Sequence, residues 1–145
     1  MTQRKLRDAT YDDLDRMQAC IKAAYAPALA RLSDLPDVAG GLEQDLKNNI
    51  VRVVVVGDRL VAVMVLVLHR DHVKLANIAV HPDHGGAGHG RALLQEATAI
   101  ARQLDRCELR LVTHVGMPEN VALYTHMGWK KSGQRGNAIL MRLAV

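Results

Sequence analysis

The chain has 145 residues, of which 49% are hydrophobic and 23% are charged. These values are typical of one folded domain and exclude a disordered chain, so we predict a single domain over residues 1–145. One Trp, three Tyr and no Phe leave few rings for stacking unpaired bases, and we expect no nucleic-acid partner. The net charge of +4 fits a small anionic ligand or a solvated basic surface.

The cysteines and the hydropathy of the chain exclude further classes of protein. Cys20 and Cys107 have no CxxC spacing, so they predict neither a disulfide framework nor a zinc site. The segment Met1–Lys5 is polar and is not typical of a signal peptide. The most apolar run, Leu60–Leu68, has nine residues, whereas a membrane span needs roughly 20. We therefore expect a soluble, cytoplasmic protein with no membrane partner.

The first half of the chain predicts two helices and four strands. Thr10 is placed to cap a helix, with Asp13 as the carboxylate of a capping box. Gly57 and Asp58 separate two Val-rich runs and predict a hairpin turn. The predicted elements are a strand over Lys5–Arg7, a helix from about Tyr11 to Pro27, a loop over 28–41, a helix over Glu43–Lys47, and strands over Ile50–Val56, Arg59–Leu68 and Val73–Val80.

The second half begins with a glycine-rich loop. After it, apolar residues recur at helical spacing, and Pro118 fits the first turn of a later helix that ends at Gly128 as its C-cap. The predicted order for the whole chain is β-α-α-β-β-β-α-β-α-β-β. The predicted elements are a loop over His84–Gly90, helices over Arg91–Leu104 and Glu119–Met127, and strands over Glu108–Thr113, Trp129–Lys131 and Ala138–Leu143.

A glycine-rich turn between a strand and a helix predicts an anion site, because glycines let several backbone N–H groups approach a phosphate. Two familiar phosphate loops do not fit. Gly85 and Gly90 have the Walker A spacing, but Arg91 stands where that motif has Lys. Gly86 and Gly88 begin a dinucleotide fingerprint, but its third glycine also falls at Arg91.

A third pattern fits. The segment Val80–Leu94 closely resembles the acetyl-CoA pyrophosphate motif of the GNAT superfamily of N-acetyltransferases. Gly88 and Gly90 take its two glycine places, while Gly85 stands where the family has Gln or Arg. The segment Glu119–Trp129 resembles the family's second motif, L-Y-x-x-x-G-[FW]. The element order also matches, so the resemblance covers nearly the whole chain.

The resemblance implies an α/β (α+β) GNAT fold with a mixed, mainly antiparallel sheet flanked by helices. It implies acetyl-CoA as cosubstrate and no metal. The family's Asn before the motif Tyr corresponds to Met117 here, and Asn120 is displaced by one turn. The residues expected to contact acetyl-CoA are Ile78, Ala79, Val80, Gly85, Gly86, Ala87, Gly88, His89, Gly90, Arg91, Asn120 and Tyr124.

Such an enzyme needs an acid for the leaving thiolate and a route for the amine's proton. Tyr124 is the candidate acid, since a phenol with a pKa of about 10 stays protonated at neutral pH. Freeing an amine with a pKa of about 10.4 at pH 7 costs about 4.6 kcal/mol, and a general base normally assists. The strand before the loop has no carboxylate, and Asn77 could only position a water.

Histidines are the nearest candidate bases. His114 is predicted as the catalytic base, with His72 as an alternative and Glu108 expected to lie too far away. The acetyl carbonyl would be polarised by the backbone N–H of Ala79 or Val80, where the fourth and fifth strands separate.

The residues on the acceptor side and the remaining histidines each allow more than one interpretation. Tyr25, Pro27 and the segment Leu35–Asp37 fall where the family binds its acceptor, although Tyr25 also continues a core stripe. A metal site is not expected, because nothing nearby completes a tetrahedral set. The loop histidines that invite that interpretation are His81, His84 and His89.

The predicted function is transfer of an acetyl group from acetyl-CoA to a primary amine of a small molecule, by direct attack in a ternary complex. Three alternatives stay open: a protein or peptide acetyltransferase, a non-catalytic acyl-CoA sensor, and a toxin that acetylates aminoacyl-tRNA. The absence of a carboxylate on the strand before the loop favours the sensor, and the presence of Tyr124 opposes it. The resemblance also implies a homodimer.

Overall fold

The computed structural model describes residues 3–35 and 40–145. The order of its helices and strands confirms the predicted order, with short 3₁₀ turns at Tyr11–Asp13 and Pro82–His84. The predicted acceptor positions Pro36 and Asp37 lie outside the described residues. The elements are β1 (Arg4–Asp8), α1 (Leu14–Arg31), α2 (Leu42–Asn48), β2 (Ile50–Val56), β3 (Arg59–Leu68), β4 (Val73–Val80), α3 (His89–Gln103), β5 (Glu108–His114), α4 (Pro118–His126), β6 (Lys130–Arg135) and β7 (Ala138–Ala144).

The strands form one sheet in the order β1-β2-β3-β4-β5-β7-β6. Neighbouring strands are antiparallel except β4 and β5, which are parallel and are joined through α3, as a parallel pair requires. This confirms the mixed, mainly antiparallel GNAT sheet. No helix within residues 3–35 and 40–145 is long and apolar enough to cross a membrane.

The sheet is buried on both faces, and β3 shows why. Met64 and Leu66 pack towards α3, while Val63 and Val65 pack towards α1 and α2, because successive side chains of a strand point to opposite faces. The core is aliphatic apart from Tyr124 and Trp129, which join the cluster on the α3 side. Two of the chain's few rings therefore lie together, with centroids 5.8 Å apart.

Several predicted boundaries are wrong; α3, for example, begins at His89 and not at Arg91. Helix α1 continues past Pro27 to Arg31, since a proline removes one hydrogen bond and Ala28 beyond it is buried against the core. The C-cap of α4 is Met127, and Gly128 follows it with a φ of +96°. Strand β6 runs to Arg135 because it pairs with β7, which outweighs the low strand propensity of its Ser and Gly.

A buried carboxylate anchors the first turn after β1. Asp13 is 1% exposed, and its oxygens accept hydrogen bonds from Arg7 at 2.8 and 2.9 Å and from Arg16 at 2.6 Å. Its Oδ2 also accepts the backbone N–H of Thr10 at 2.8 Å, as the predicted capping box requires. The Arg7 hydrogen bond, opposed by burial, holds the pKa of Asp13 well below its usual range.

We expect Asp13→Asn to lower the free energy of unfolding by about 2–3 kcal/mol at pH 7, because it leaves two arginines without their shared anion. The lowered pKa means that the unfolded chain binds the proton more readily. The stabilisation is therefore full above the unfolded pKa of about 3.9 and is lost as pH falls below it. Denaturant titrations at pH 7 and pH 3 measure both effects. An Asp13→Asn variant with wild-type stability at pH 7 would contradict this role.

Candidate active site

The sheet opens between β4 and β5. Their pairing joins only Val73–Leu75 to Leu109–Leu111, and beyond Leu75 the strands separate. A bulge in the β3–β4 ladder leaves Ala76 without a partner, since Leu75 and Asn77 pair with consecutive residues of β3. The separation creates a cleft of about 570 Å³, lined by residues of α1, β4, β5 and α4. Six of the predicted site residues line this cleft: Tyr25, Asn77, Ile78, His114, Asn120 and Tyr124.

Backbone donors on β4 face this cleft. His81 N–H donates to Val61 O at 2.8 Å, and the register continues with Val80 opposite Ala62 and Ala79 opposite Val63. Bonded and non-bonded pairs alternate in an antiparallel ladder, so the N–H groups of Ile78 and Val80 point away from β3, to the side of β5, and Ile78 lines the cleft. The N–H of Ala79 points to β3, and its side chain packs with the α1 cluster. Of the two predicted carbonyl donors, Val80 is therefore suitably oriented and Ala79 is not.

Tyr124 lines the cleft from α4. Its side chain is buried, and its hydroxyl forms no hydrogen bond within the described part of the chain, so it is available to a ligand. Burial, with a smaller contribution from Tyr25, raises the pKa of Tyr124 above its ordinary value. The phenol is thus a neutral donor at every physiological pH. Met117 and Asn120 line the same region, and Asn120 Nδ2 lies 3.9 Å from Met117 Sδ.

Tyr25 and Asn77 lie together on the opposite wall. The Tyr25 hydroxyl donates to Ile78 O at 3.3 Å and lies 3.5 Å from Asn77 Oδ1. Burial raises the pKa of this phenol as well. Tyr25 therefore belongs both to the packing of α1 on β4 and to the cleft wall, and it satisfies a carbonyl that the separated β5 cannot reach.

His114, at the end of β5, also lines the cleft, but both of its ring nitrogens are occupied. Nδ1 accepts the N–H of Gly116 at 2.8 Å, which fixes the neutral ring with its proton on Nε2. That Nε2–H donates to Asp34 Oδ1 at 2.7 Å, and Asn137 Nδ2 donates to Asp34 Oδ2 at 2.8 Å. These two hydrogen bonds, that of Asn137 first, lower the pKa of Asp34. The ring orients a carboxylate and has no free nitrogen to accept a proton.

The other candidate bases lie away from the cleft. His72 precedes β4 and stacks on His69 with ring centroids 4.5 Å apart, and its Nδ1 lies 2.7 Å from an Asp71 oxygen. Glu108 begins β5 and pairs with two arginines of the sheet surface, Arg110 and Arg142. Both are at the ends where β4 and β5 are still paired, opposite to the open end.

The glycine loop lies between β4 and α3. Gly86 and Gly88 have φ of +78° and +82°, and Gly88 is the N-cap of α3. A Cβ added at Gly86 would meet no described atom within 4 Å, whereas one at Gly90 would lie 3.5 Å from Val80. The loop is therefore open at Gly86 and in ordinary contact with β4 at Gly90, which leaves room for an anion at the helix N-terminus.

The loop histidines have separate surroundings. His89 is 6% exposed, and its Nδ1 has no hydrogen-bond partner among the described residues. Burial, then Arg4 and His84, lower its pKa. His81 Nδ1 accepts the N–H of Asp83 at 3.1 Å, while Arg91 is exposed on α3. Residues 3–35 and 40–145 contain no group of three or more His, Cys, Asp or Glu that could hold a metal ion.

Three residues at these sites were not predicted from the sequence. Arg4 Nη1–H and Nη2–H donate to Gly88 O and Ala87 O in the loop, while Asp34 is hydrogen-bonded to both His114 and Asn137. Their partners are between 80 and 103 positions away in the chain. No local periodicity or motif signals contacts of this kind.

Comparison with known proteins agrees with this geometry. A family model described as an acetyltransferase (GNAT) domain matches residues 47–131. The PaiA N-acetyltransferase of Thermoplasma acidophilum, solved with coenzyme A, has a TM-score of 0.89 at 15% identity, over 99% of both chains. The ribosomal-protein-S18-alanine N-acetyltransferase of Escherichia coli has a TM-score of 0.82 at 19% identity, over 99% of this chain and 94% of that one. No curated protein gives a sequence match.

The matched segment covers more than half of the sequence, from the end of α2 to the beginning of β6. The chain belongs to the GNAT family of acetyltransferases, and its class of activity is acyl transfer.

Proposed function

We propose that the protein transfers an acetyl group from acetyl-CoA to the primary amine of a small molecule, by direct attack in a ternary complex. One observation carries the proposal: the unpartnered hydroxyl of Tyr124 and the cleft-facing N–H groups of β4 line the same opening in the sheet. An acid and a carbonyl donor converging on one cleft are what acetyl transfer needs.

The residues present fit acetyl-CoA, which supplies an activated acetyl group and leaves as a thiol. The glycine loop presents N–H groups at the start of α3 for an anionic pyrophosphate. Solved relatives of similar fold contain coenzyme A or acetyl-CoA. In the proposed arrangement the predicted contacts from Gly85 to Arg91 bind the phosphates, and Asn120 lines the path from the loop to the cleft.

The cleft-facing N–H groups of Ile78 and Val80 polarise the acetyl carbonyl, as donors held rigidly by the β3–β4 ladder. Tyr124 then donates its proton to the departing sulfur. Burial makes this phenol a weaker acid than a solvated one, but a thiolate in the same cleft is destabilised by the same loss of water. Because the loss of water raises the pKa of both the phenol and the thiol, the difference between the two pKa values changes less than either value. Proton transfer from Tyr124 to the sulfur therefore stays close to balanced.

The acceptor enters on the side of Tyr25 and Asn77 in this proposal. Asp34, held by His114 and Asn137, provides a fixed negative charge that attracts an ammonium group. Its low pKa makes it an anchor for the amine and a poor proton acceptor, so the amine's proton leaves through water, which Asn77 could position. His114 is then a positioning residue, in place of the base predicted from sequence.

The proposal is tested by measuring CoA release from acetyl-CoA with a panel of small amines, lysine peptides and peptides with a free N-terminus. Turnover with small cationic amines supports it. Turnover only with peptides would establish the protein or peptide acetyltransferase instead. Binding of acetyl-CoA with no turnover on any amine would establish the acyl-CoA sensor. A single domain, a cytoplasmic location and a homodimer belong to the same proposal, and sedimentation of the purified protein tests the last.

For His114 we expect His114→Ala to raise KM for the amine by about threefold to tenfold, because Asp34 loses one of its two hydrogen bonds. Asn137→Ala, which removes the other bond to the same carboxylate, should match it. The acid limb of the pH profile of kcat/KM should stay in place in both variants. Loss of that limb in His114→Ala alone would show that His114 is the base after all.

A further inference from the structure

Arg4 on β1 is hydrogen-bonded to two carbonyl oxygens of the glycine loop. Arg4 Nη1–H donates to Gly88 O at 2.7 Å, and Nη2–H donates to Ala87 O at 2.9 Å. The planar guanidinium group of an arginine can donate to two acceptors at a fixed spacing. The ammonium group of a lysine is a single point charge and cannot match that geometry. Within the described residues Arg4 forms no ion pair with a carboxylate, and its side-chain hydrogen bonds are those with the loop.

This contact orients two peptide groups: that of Ala87 O through Arg4, and that of Gly88 O through Arg4 together with the helical hydrogen bond from Ala92 N–H at 3.0 Å. In a planar trans peptide the C=O of one residue points opposite to the N–H of the next. Holding Ala87 O and Gly88 O therefore aims the N–H groups of Gly88 and His89 away from Arg4, out of the start of α3. Neither N–H donates to a backbone oxygen among the described residues, as expected for the first groups of a helix. Both are left to an external anion.

We infer that Arg4 is a positioning residue for acetyl-CoA: its fork orients the loop so that the Gly88 and His89 N–H groups face the pyrophosphate. Gly85 stands where the family has a Gln or Arg side chain, and Arg4 on β1 contributes a side chain to the loop instead, at Ala87 and Gly88. This inference rests on the proposed function, since it takes the loop as the pyrophosphate site.

The test measures the Kd of CoA by calorimetry for wild type, Arg4→Gln and Arg4→Lys. Lys5→Gln is the matched control, because Lys5 is the neighbouring exposed cation on β1 and its side chain has no hydrogen bond or ion pair with described residues. We expect both Arg4 variants to raise the Kd by about tenfold, with Lys5→Gln unchanged. Steady-state kinetics should show the same rise in KM for acetyl-CoA, an unaltered kcat, and no effect with S-acetylpantetheine, which lacks the pyrophosphate.

Three results would overturn the inference. Wild-type affinity in both Arg4 variants would remove any role for the side chain. Wild-type affinity for CoA in Arg4→Lys alone would show that the positive charge of Arg4 matters and its two-pronged geometry does not. An equal loss with S-acetylpantetheine would indicate a general structural defect. Failure of the wild-type protein to bind CoA would overturn the proposed function. This outcome is distinguishable from failure of the Arg4 inference, because it is seen in the wild-type protein before any variant is compared.

Discussion

Tyr124→Phe is expected to lower kcat by about 100- to 1000-fold, with KM for acetyl-CoA nearly unchanged. The substitution removes the unpartnered hydroxyl in the cleft and keeps the ring that packs on Trp129 at a centroid distance of 5.8 Å. The leaving thiolate then departs without its acid. Because burial raises the Tyr124 pKa, the wild-type kcat should show no fall from phenol ionisation below about pH 10, the ordinary value for tyrosine.

Tyr25→Phe is the matched control, since it removes the other tyrosine hydroxyl of the same cleft. That hydroxyl already donates to Ile78 O at 3.3 Å, and we expect its loss to change kcat far less. Pre-steady-state and steady-state rates of CoA release, with thermal melts to confirm folding, provide the measurement. Full activity in Tyr124→Phe would exclude the phenol as the acid.

Gly88→Ala is expected to raise the Kd of CoA by about tenfold or more, because charged hydrogen bonds from the loop would be misdirected. Gly88 has a φ of +82°, and an L-residue with a Cβ is strained in this left-handed region by about 1–2 kcal/mol. The loop would relieve that strain by turning its peptide groups. The melting temperature should also fall, since Gly88 is the N-cap of α3.

Gly85→Ala tests whether conformation, and not side-chain volume, matters in this loop. Gly85 has a φ of −66°, and its added Cβ would lie 3.6 Å from Pro82 O, an ordinary contact. We expect the Kd of CoA to stay within about twofold of wild type. Equal damage in the two variants would contradict the argument from φ.

The sequence predicted the fold well because its strongest signals are local. Branched residues in β2 and β3, the Gly57–Asp58 turn between them and the apolar stripe of α3 each report structure within a few residues. The error at Pro27 has a tertiary cause, since buried Ala28 holds the helix beyond the proline. Local propensity could not show that contact.

The site was predictable only where it follows a motif. Gly86, Gly88 and Tyr124 lie in segments whose residue order alone indicates a loop or a helix, and the structure brings them to one end of the sheet. The contact between His114 and Asp34 was not predictable, since Asp34 precedes it by 80 positions. Hydrogen bonds with Asp34 and Gly116 occupy both ring nitrogens, and on that observation we propose His114 as a positioning residue.

The separation of β4 from β5 gives this protein a sheet edge in its interior. Exposed edges elsewhere attract strands of other molecules and promote aggregation, so proteins shorten, charge or cover them. Here residues of β5 and α4 line the same cleft as Ile78, and the Tyr25 hydroxyl donates a hydrogen bond to the Ile78 carbonyl. Because this edge lies within the molecule, its strand-like hydrogen-bonding groups stay available to a bound ligand and are kept from the strands of other molecules.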